Sequence, residues 1–402
     1  MQKTSLRKTW PMIVYAVIAS LVMLSIIYIT LLSPQARAVH TVADEATRSG
    51  FMFSESIPEK MIEKQQFSNY TDLISTPGAI IGVKENGVER LDTQSEQIIW
   101  EYSRPGGSIC DAIQAWGDVV VVYDMGKGCT DVTRLDGATG QYVSQASYAT
   151  DQDALKMVFS DDKLALVTPH TVRVLRDDLV TTTEFGQHVD FANKPNFANC
   201  DIYDATISPK ALVVSHQCNG VDTTHVTAVE VDPEDSSAPE TIVDVDTHSS
   251  YPATTPVATL AQMKFITQGV EPIDYTWQLD KDLTEVAAHP VRQGEYGLWG
   301  NNFDGIGYVW LVGNKMYARY GSEDVSQFTA EFSGATTIPL EADIYLLVGT
   351  EEGFSFWDTH EETRHDIAVD ADVSTVKKIA FAGDTIATFN DGTITMFGPS
   401  EV

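Results

Sequence analysis

From about residue 71 to the C-terminus, apolar positions come in short runs rich in Val, Ile, Tyr, Phe and Thr. Gly, Asp, Asn and Pro break each run, and no long stretch with helical periodicity intervenes. Short runs closed by turn residues predict strands, and many in series predict a sandwich, barrel or propeller. Residues 33–70 are polar and poorly patterned, apart from "SIPEKMIEKQQF", which predicts a short helix. Ahead of them, Met12 to Leu32 carry no charge.

Self-similarity selects among the all-β architectures. A unit recurs in which two strands precede a third that ends near Asp and leads to a fourth. The third strands are "GVERLD" (87–92), "VTRLD" (132–136), "VRVLRD" (172–177), "VTAVEVD" (226–232), "YTWQLD" (275–280), "MYARYG" (316–321), "FSFWD" (354–358) and "TITMFG" (393–398). Their ends lie between about 36 and 55 residues apart, centred near 42, the period of four-stranded propeller blades. The expected fold is all-β: an eight-bladed, alternatively seven-bladed, β-propeller of four-stranded antiparallel blades, preceded by one N-terminal transmembrane helix. The last unit, "KKIAFAGDTIATFNDGTITMFG", stops after three strands, so a strand from residues 50–77 is expected to supply its fourth.

The uncharged run at Met12–Leu32 would span about 30 Å as a helix, the thickness of a bilayer core. Lys3, Arg7 and Lys8 precede it, which predicts a cytoplasmic N-terminus and an extracytoplasmic remainder. "ARA" at 36–38 offers a cleavage site, but the run is long for a signal peptide, whose apolar core is about 7–15 residues. The expected organisation is a cytoplasmic tail at 1–11, a transmembrane helix at 12–32, a stalk at 33–70 and an extracytoplasmic propeller at 71–402. The formal charge of −31 argues against nucleic acid or an anionic lipid surface as partner.

The four cysteines, Cys110, Cys129, Cys200 and Cys218, lie in the part expected outside the cell, where an even count predicts disulfides. Tight C-x2–4-C pairs of the kind that build structural zinc sites are missing. Cys110 is expected to open the first strand of the second blade, with Cys129 in the loop between its second and third strands. Cys200 and Cys218 are expected at matching places in the fourth. That alignment predicts Cys110–Cys129 and Cys200–Cys218. No other constellation in the sequence points to catalysis. Ser374 and Lys377 match S-x-x-K, but a strand would send them to opposite faces. His360 and His365 in "HEETRH" read as a solvated loop between third and fourth strands. His216 and His225 flank the Cys218 turn and could meet across a hairpin. The Asp-rich segments at 244–250 and 368–374 lack the Gly and closing Glu of a calcium loop.

"RLDTQSEQIIWEY" (90–102) and "RLDGATGQYVSQASY" (134–148) resemble the repeat of the quinoprotein-type (PQQ-like) propellers. Asp92, Trp100, Asp136, Thr139 and Gly140 carry the match, and later blades keep only Asp177, Asp232, Asp280 and Asp358. The layout as a whole is similar to membrane-anchored propellers of unassigned function from actinobacteria. That resemblance implies a cell-envelope protein. The catalytic quinoproteins hold their cofactor under a vicinal Cys-Cys disulfide, and this chain has no adjacent cysteines. Non-catalytic members act as scaffolds, and this match is the better one.

The loops that lead into first strands are long and aromatic-rich. Phe191, Phe197, Tyr251, Tyr296 and Trp299 are expected to form an apolar recognition surface with Arg104 and Asn301 at its polar rim, since aromatics and Arg dominate protein-interface hot spots. The sequence thus predicts a non-catalytic, membrane-anchored interaction scaffold with an envelope or membrane-protein partner and no cofactor or metal. The alternatives are a quinone-dependent dehydrogenase-like enzyme and a small-ligand sensor.

Overall fold

The computed structural model describes residues 6–28, 37–44, 53, 56–148, 155–160, 162–187, 197–207, 211–221, 223–246, 254–258, 263–267, 273–279, 285–292, 302–303, 307–312, 315–319, 330–333, 336–337, 340–342, 345–358, 361, 363–376 and 378–400. Helix α1 covers Leu6–Ile27. From Ile13 to Tyr28 its large apolar side chains are exposed, Tyr15 at 72% and Met23 at 67%. Among the described residues no helix is long and apolar enough to cross a membrane.

After α1 come β1 (Val39–Thr41) and β2 (Lys60–Ser68). The first blade is β3 (Asp72–Thr76), β4 (Ala79–Val83), β5 (Gly87–Leu91) and β6 (Ile98–Ser103). The second is β7 (Ser108–Ala115), β8 (Asp118–Asp124), β9 (Cys129–Leu135) and β10 (Tyr142–Ser147). The third is β11 (Lys156–Ser160), β12 (Lys163–Val167), β13 (Thr171–Leu175) and β14 (Thr181–Gly186). The fourth is β15 (Cys200–Ile207), β16 (Ala211–Cys218), β17 (His225–Glu230) and β18 (Thr241–Asp246). Two further four-stranded sheets follow. One is β19 (Thr254–Ala258), β20 (Met263–Thr267), β21 (Ile273–Leu279) and β22 (Glu285–Arg292). The other is β23 (Asn302–Phe303), β24 (Gly307–Val312), β25 (Lys315–Arg319) and β26 (Ala330–Ser333). The remaining strands are β27 (Leu340–Ala342), β28 (Tyr345–Thr350), β29 (Gly353–Asp358), β30 (Thr363–Val369), β31 (Lys378–Ala382), β32 (Thr385–Asn390) and β33 (Thr393–Pro399). They share one eight-stranded sheet with β2.

Consecutive strands in each sheet run as antiparallel up-and-down meanders, the join of β2 to β30 being parallel, and the first strands stand side by side. β3 neighbours β7, β7 neighbours β11, β11 neighbours β15 and β15 neighbours β19, while β31 returns to β3. First strands ringing a common axis define a β-propeller. Sheets stacked around that axis bury both faces, which is why β4, β5 and β12 are buried along their whole length and do not alternate. Apolar side chains from adjacent blades fuse into shared cores, such as Phe185 and Val214 with Ile202 between the third and fourth blades.

The ring closes with a strand from near the N-terminus. β2 pairs antiparallel with β33 from Met61↔Pro399 to Ser68↔Thr393, supplying the fourth strand that the last unit lacks. It lies within residues 33–70, read as a stalk from the sequence, and occupies much of the segment expected to form a short helix. Its alternation explains the choice, because Met61, Gln65 and Phe67 turn inward while Glu63 and Lys64 stay out. β1 lies in the same stretch and adds a fifth strand to the first blade, through Val39↔Ser103, His40↔Tyr102 and Thr41↔Glu101. Beyond β1, Ala43 N–H donates to Thr139 O, so this strap ties the outer edges of the first two blades together.

The Asp136 turn and Trp100 pack one blade on the next. Asp136 accepts from Ala138 N–H, Thr139 N–H and the Thr139 hydroxyl. The turn so fixed sits against Trp100 of the preceding blade, whose Nε1–H donates to Gly137 O at 3.2 Å. Gly140 has φ +74°, and a Cβ there would lie 2.7 Å from the Trp100 ring, so both backbone and space require glycine.

Candidate functional site

In each meander the first strand begins, the second ends and the third begins at the same end of the blade. Both cystines lie at this upper face. Cys110 is bonded to Cys129 and Cys200 to Cys218, with Cα–Cα separations of 5.9 Å and 3.8 Å, the pairing the blade alignment predicted. The two cystines are not equivalent. Cys110 sits at a bulge in β7 between Ile109 and Asp111, and its bridge passes the end of β8 to the first residue of β9. Cys200 and Cys218 face each other directly on the adjacent strands β15 and β16. Cys218 therefore ends a second strand and does not sit in the following loop as expected.

Arg104 was expected at an exposed rim. It is 1% exposed. Its Nε donates to the Tyr102 hydroxyl at 2.6 Å and Nη2 to Thr133 Oγ1 at 2.9 Å, while Nη1 lies 3.3 Å from Asp131 Oδ2. The guanidinium also lies over the Tyr123 ring at 4.8 Å. Burial holds the Tyr123 and Tyr142 hydroxyls above the usual phenol range. His40 of the strap seals this cage: its ring meets Tyr102 and Tyr142 edge-on at 5.3 and 4.6 Å, and Nε2 lies 2.7 Å from Gly140 O. Arg104 is thus a buried linchpin between the first two blades.

Phe197 stacks on Phe185 at 4.3 Å and lies against His216 at 5.1 Å, wedged between the third and fourth blades. Of the remaining expected surface residues, Phe191, Tyr251, Tyr296, Trp299 and Asn301 lie outside the described residues.

His216 and His225 do meet across the hairpin, opposite one another with ring centroids 6.0 Å apart. His216 Nε2 is 2.7 Å from Thr227 Oγ1, and that hydroxyl donates to Asp244 Oδ1 at 2.8 Å. Asp244 also accepts from His225 Nδ1 at 3.1 Å. Burial lowers the His216 pKa to about 4. Its Nδ1 lies 3.4 Å from Cys218 Sγ, and Cys200, Cys218 and His216 offer three ligand atoms within 4.8 Å of one another. Asp244 escapes a reading by spacing because it arrives on β18.

Of the other histidine and acidic motifs, the described polar side chains lie at the surface, while His360, Lys377 and residues 247–250 lie outside the described residues. His365 lies on β30 and not in the expected loop, exposed beside Thr363 Oγ1. Ser374 is capped by Asp372.

Sequence reasoning missed a partial ring of charges at one level of five adjacent first strands, from β31 round to β15. Asp72, Asp111, Lys156, Asp204 and Lys378 occupy equivalent positions on β3, β7, β11, β15 and β31, counting back from the turn into each second strand. Each Asp accepts from the following backbone N–H, of Leu73, Ala112 or Ala205. Each also reaches a neighbouring blade. Lys378 Nζ donates to Asp72 at 2.5 Å, Lys156 Nζ to Asp204 at 2.7 Å, and Met157 N–H to Asp111 at 2.6 Å. The available signal was an Asp followed by an apolar residue in "DLIST", "DAIQA" and "DATI".

No family model matches the chain, and no curated protein matches it. Among solved structures, BamB from Moraxella catarrhalis is similar at 12% identity and TM-score 0.47, over 84% of this chain and 99% of that one. The Dos1 propeller is similar at 9% identity and TM-score 0.49, over 84% and 95%. The WD40 domain of Pan2 from Neurospora crassa is similar at 8% identity and TM-score 0.43, over 86% and 98%.

Proposed function

We propose that this chain is a membrane-anchored, extracytoplasmic propeller of eight blades that works as a non-catalytic protein-interaction scaffold and offers its upper face to an envelope or membrane-protein partner. In this reading the eight-stranded sheet is two blades joined where β2 touches β30 over Lys60↔Ala368 and Met61↔Val369. The observation that carries the functional reading is the charge ring. Its carboxylates are satisfied by lysines and backbone N–H groups of adjacent blades, so the ring braces the axis in place of converging on a small ligand. The apolar side chains of α1 exposed from Ile13 onward, and Lys3, Arg7 and Lys8 ahead of them in the sequence, support the anchor. The strap then holds the chain against the first two blades within about eleven residues of the helix, at most ~40 Å of extended chain.

A photo-crosslinking amino acid placed at Lys127 or Val221, exposed on the upper face, should capture one reproducible partner in cells. The same group at Glu96 or Asp162, exposed at the opposite ends of blades, should not. Equal capture of the same proteins from both ends would overturn the assignment.

A further inference from the structure

The second cystine differs from the first in its company, and from that difference we infer that the reduced chain holds a thiophilic cation, zinc or monovalent copper, on Cys200 Sγ, Cys218 Sγ and His216 Nδ1. The register places these groups together. Cys200 lies opposite Cys218, and His216, two residues before Cys218 on β16, shares its face of the sheet. The Nδ1–Sγ separation of 3.4 Å is close to the roughly 3.6 Å between ligands of a tetrahedral site with bonds of about 2.1–2.3 Å. Among the described residues no other group of three such side chains converges, so Cys110–Cys129 belongs to no comparable cluster.

The imidazole is oriented as a metal-binding histidine is. Thr227 gives its hydroxyl proton to Asp244, so its oxygen accepts from His216 Nε2–H, and the lone pair on Nδ1 faces the sulfurs. A histidine whose second nitrogen is tied down through a hydroxyl to a carboxylate has its tautomer and ring plane set in advance. Phe185 and Phe197 pack on the ring and fix its position further. Access comes from the Cys218 side, where the turn at Asn219 and Gly220 is exposed.

The oxidised chain is the closed state. Opening it needs a two-electron reductant: with a dithiol, the Cys200–Cys218 bond breaks, both cysteines gain a proton, and the dithiol becomes a disulfide. Metal binding then displaces the two thiol protons. The site would report the redox state of its compartment as occupied or empty, and it holds whether or not the scaffold reading does.

The test uses the full chain in detergent, reduced with a trialkylphosphine, which takes up oxygen from water as it donates two electrons, and titrated with Co2+. The reduced Cys110→Ser/Cys129→Ser variant should show thiolate-to-cobalt charge-transfer absorption saturating at one equivalent, and the unreduced protein none. His216→Gln and Thr227→Val keep both cystines and can be checked for folding before reduction. Thr227→Val should bind Co2+ on the order of 10–100-fold more weakly, and His216→Gln more weakly still. Absence of the absorption after reduction, its survival in Cys200→Ser/Cys218→Ser, or unchanged affinity in both His216→Gln and Thr227→Val would overturn the site.

Discussion

Lys378 and Asp72 meet across 306 residues of sequence, Nζ to Oδ2 at 2.5 Å, where the first strand of the last unit stands beside the first strand of the first blade. The Ser75 hydroxyl repeats the tie further along, donating to Phe381 O and accepting from Phe381 N–H, both at 3.0 Å. Ring closure therefore rests on two devices, polar contacts between β3 and β31 near the axis and the β2–β33 ladder further out.

The ladder is the stronger device, because it carries apolar burial as well as hydrogen bonds. Met61 is 0% exposed and packs with Phe354, Phe356 and Phe397. Met61→Ala should cost about 2–5 kcal/mol, read as a lower urea midpoint with unchanged slope. Lys378→Met removes a half-exposed ion pair and should cost no more than about 1 kcal/mol. A larger loss from Lys378→Met than from Met61→Ala would reverse this ranking.

Asp111 has no lysine of its own in the ring. Burial raises its pKa, against the backbone N–H groups of Met157 and Ala112; Lys378 and Asp72 act on it with opposite signs. The folded chain then binds this proton more tightly than the unfolded chain. Stability from this group is full below the ordinary value of 3.8 and falls as pH rises through the raised one. Asp111→Asn should remove that loss, so its stability relative to wild type should be higher at pH 7 than at pH 3, by urea unfolding at both. A difference that is flat or falls with pH would show that burial does not control this carboxylate.

Much of the fold was legible because a propeller repeats its instructions. The Asp-turn-aromatic signature states the blade at Trp100 and Asp136, and the missing fourth strand after β33 pointed back to residues 50–77. The level of the first strands was less legible. Bulges before Asp111 and Asp204 shift the cysteines relative to the ring, so "CD" at 110 and at 200 looks equivalent and is not. Arg104 misled for a related reason. Pro105, Gly106 and Gly107 mark an exposed turn, yet a long side chain at the turn's first residue can fold back under it.

The cystines should contribute unequally to function and alike to stability. Each closes a loop of about twenty residues, worth on the order of 3 kcal/mol in the chain-entropy model. Cys110→Ala/Cys129→Ala should lower stability by about that amount, measured by urea unfolding without reductant. Peptide mapping under non-reducing conditions should recover only Cys110–Cys129 and Cys200–Cys218. A Cys110–Cys200 peptide would break the blade alignment.

Arg104 should matter through stability and not through partner contact. Removing it as Arg104→Ala leaves Asp131 and the Tyr102 hydroxyl without their cation in a buried cage, a loss of about 3–5 kcal/mol. Arg104→Lys keeps the charge, but one ammonium cannot serve Tyr102, Asp131 and Thr133 with the geometry of a planar fork. Its cost should fall between wild type and Arg104→Ala, read from urea midpoints. Partner capture from Lys127 should persist in Arg104→Lys at temperatures where that variant stays folded. Loss of capture with an unchanged midpoint would return Arg104 to the rim of the interface, where its sequence context first placed it.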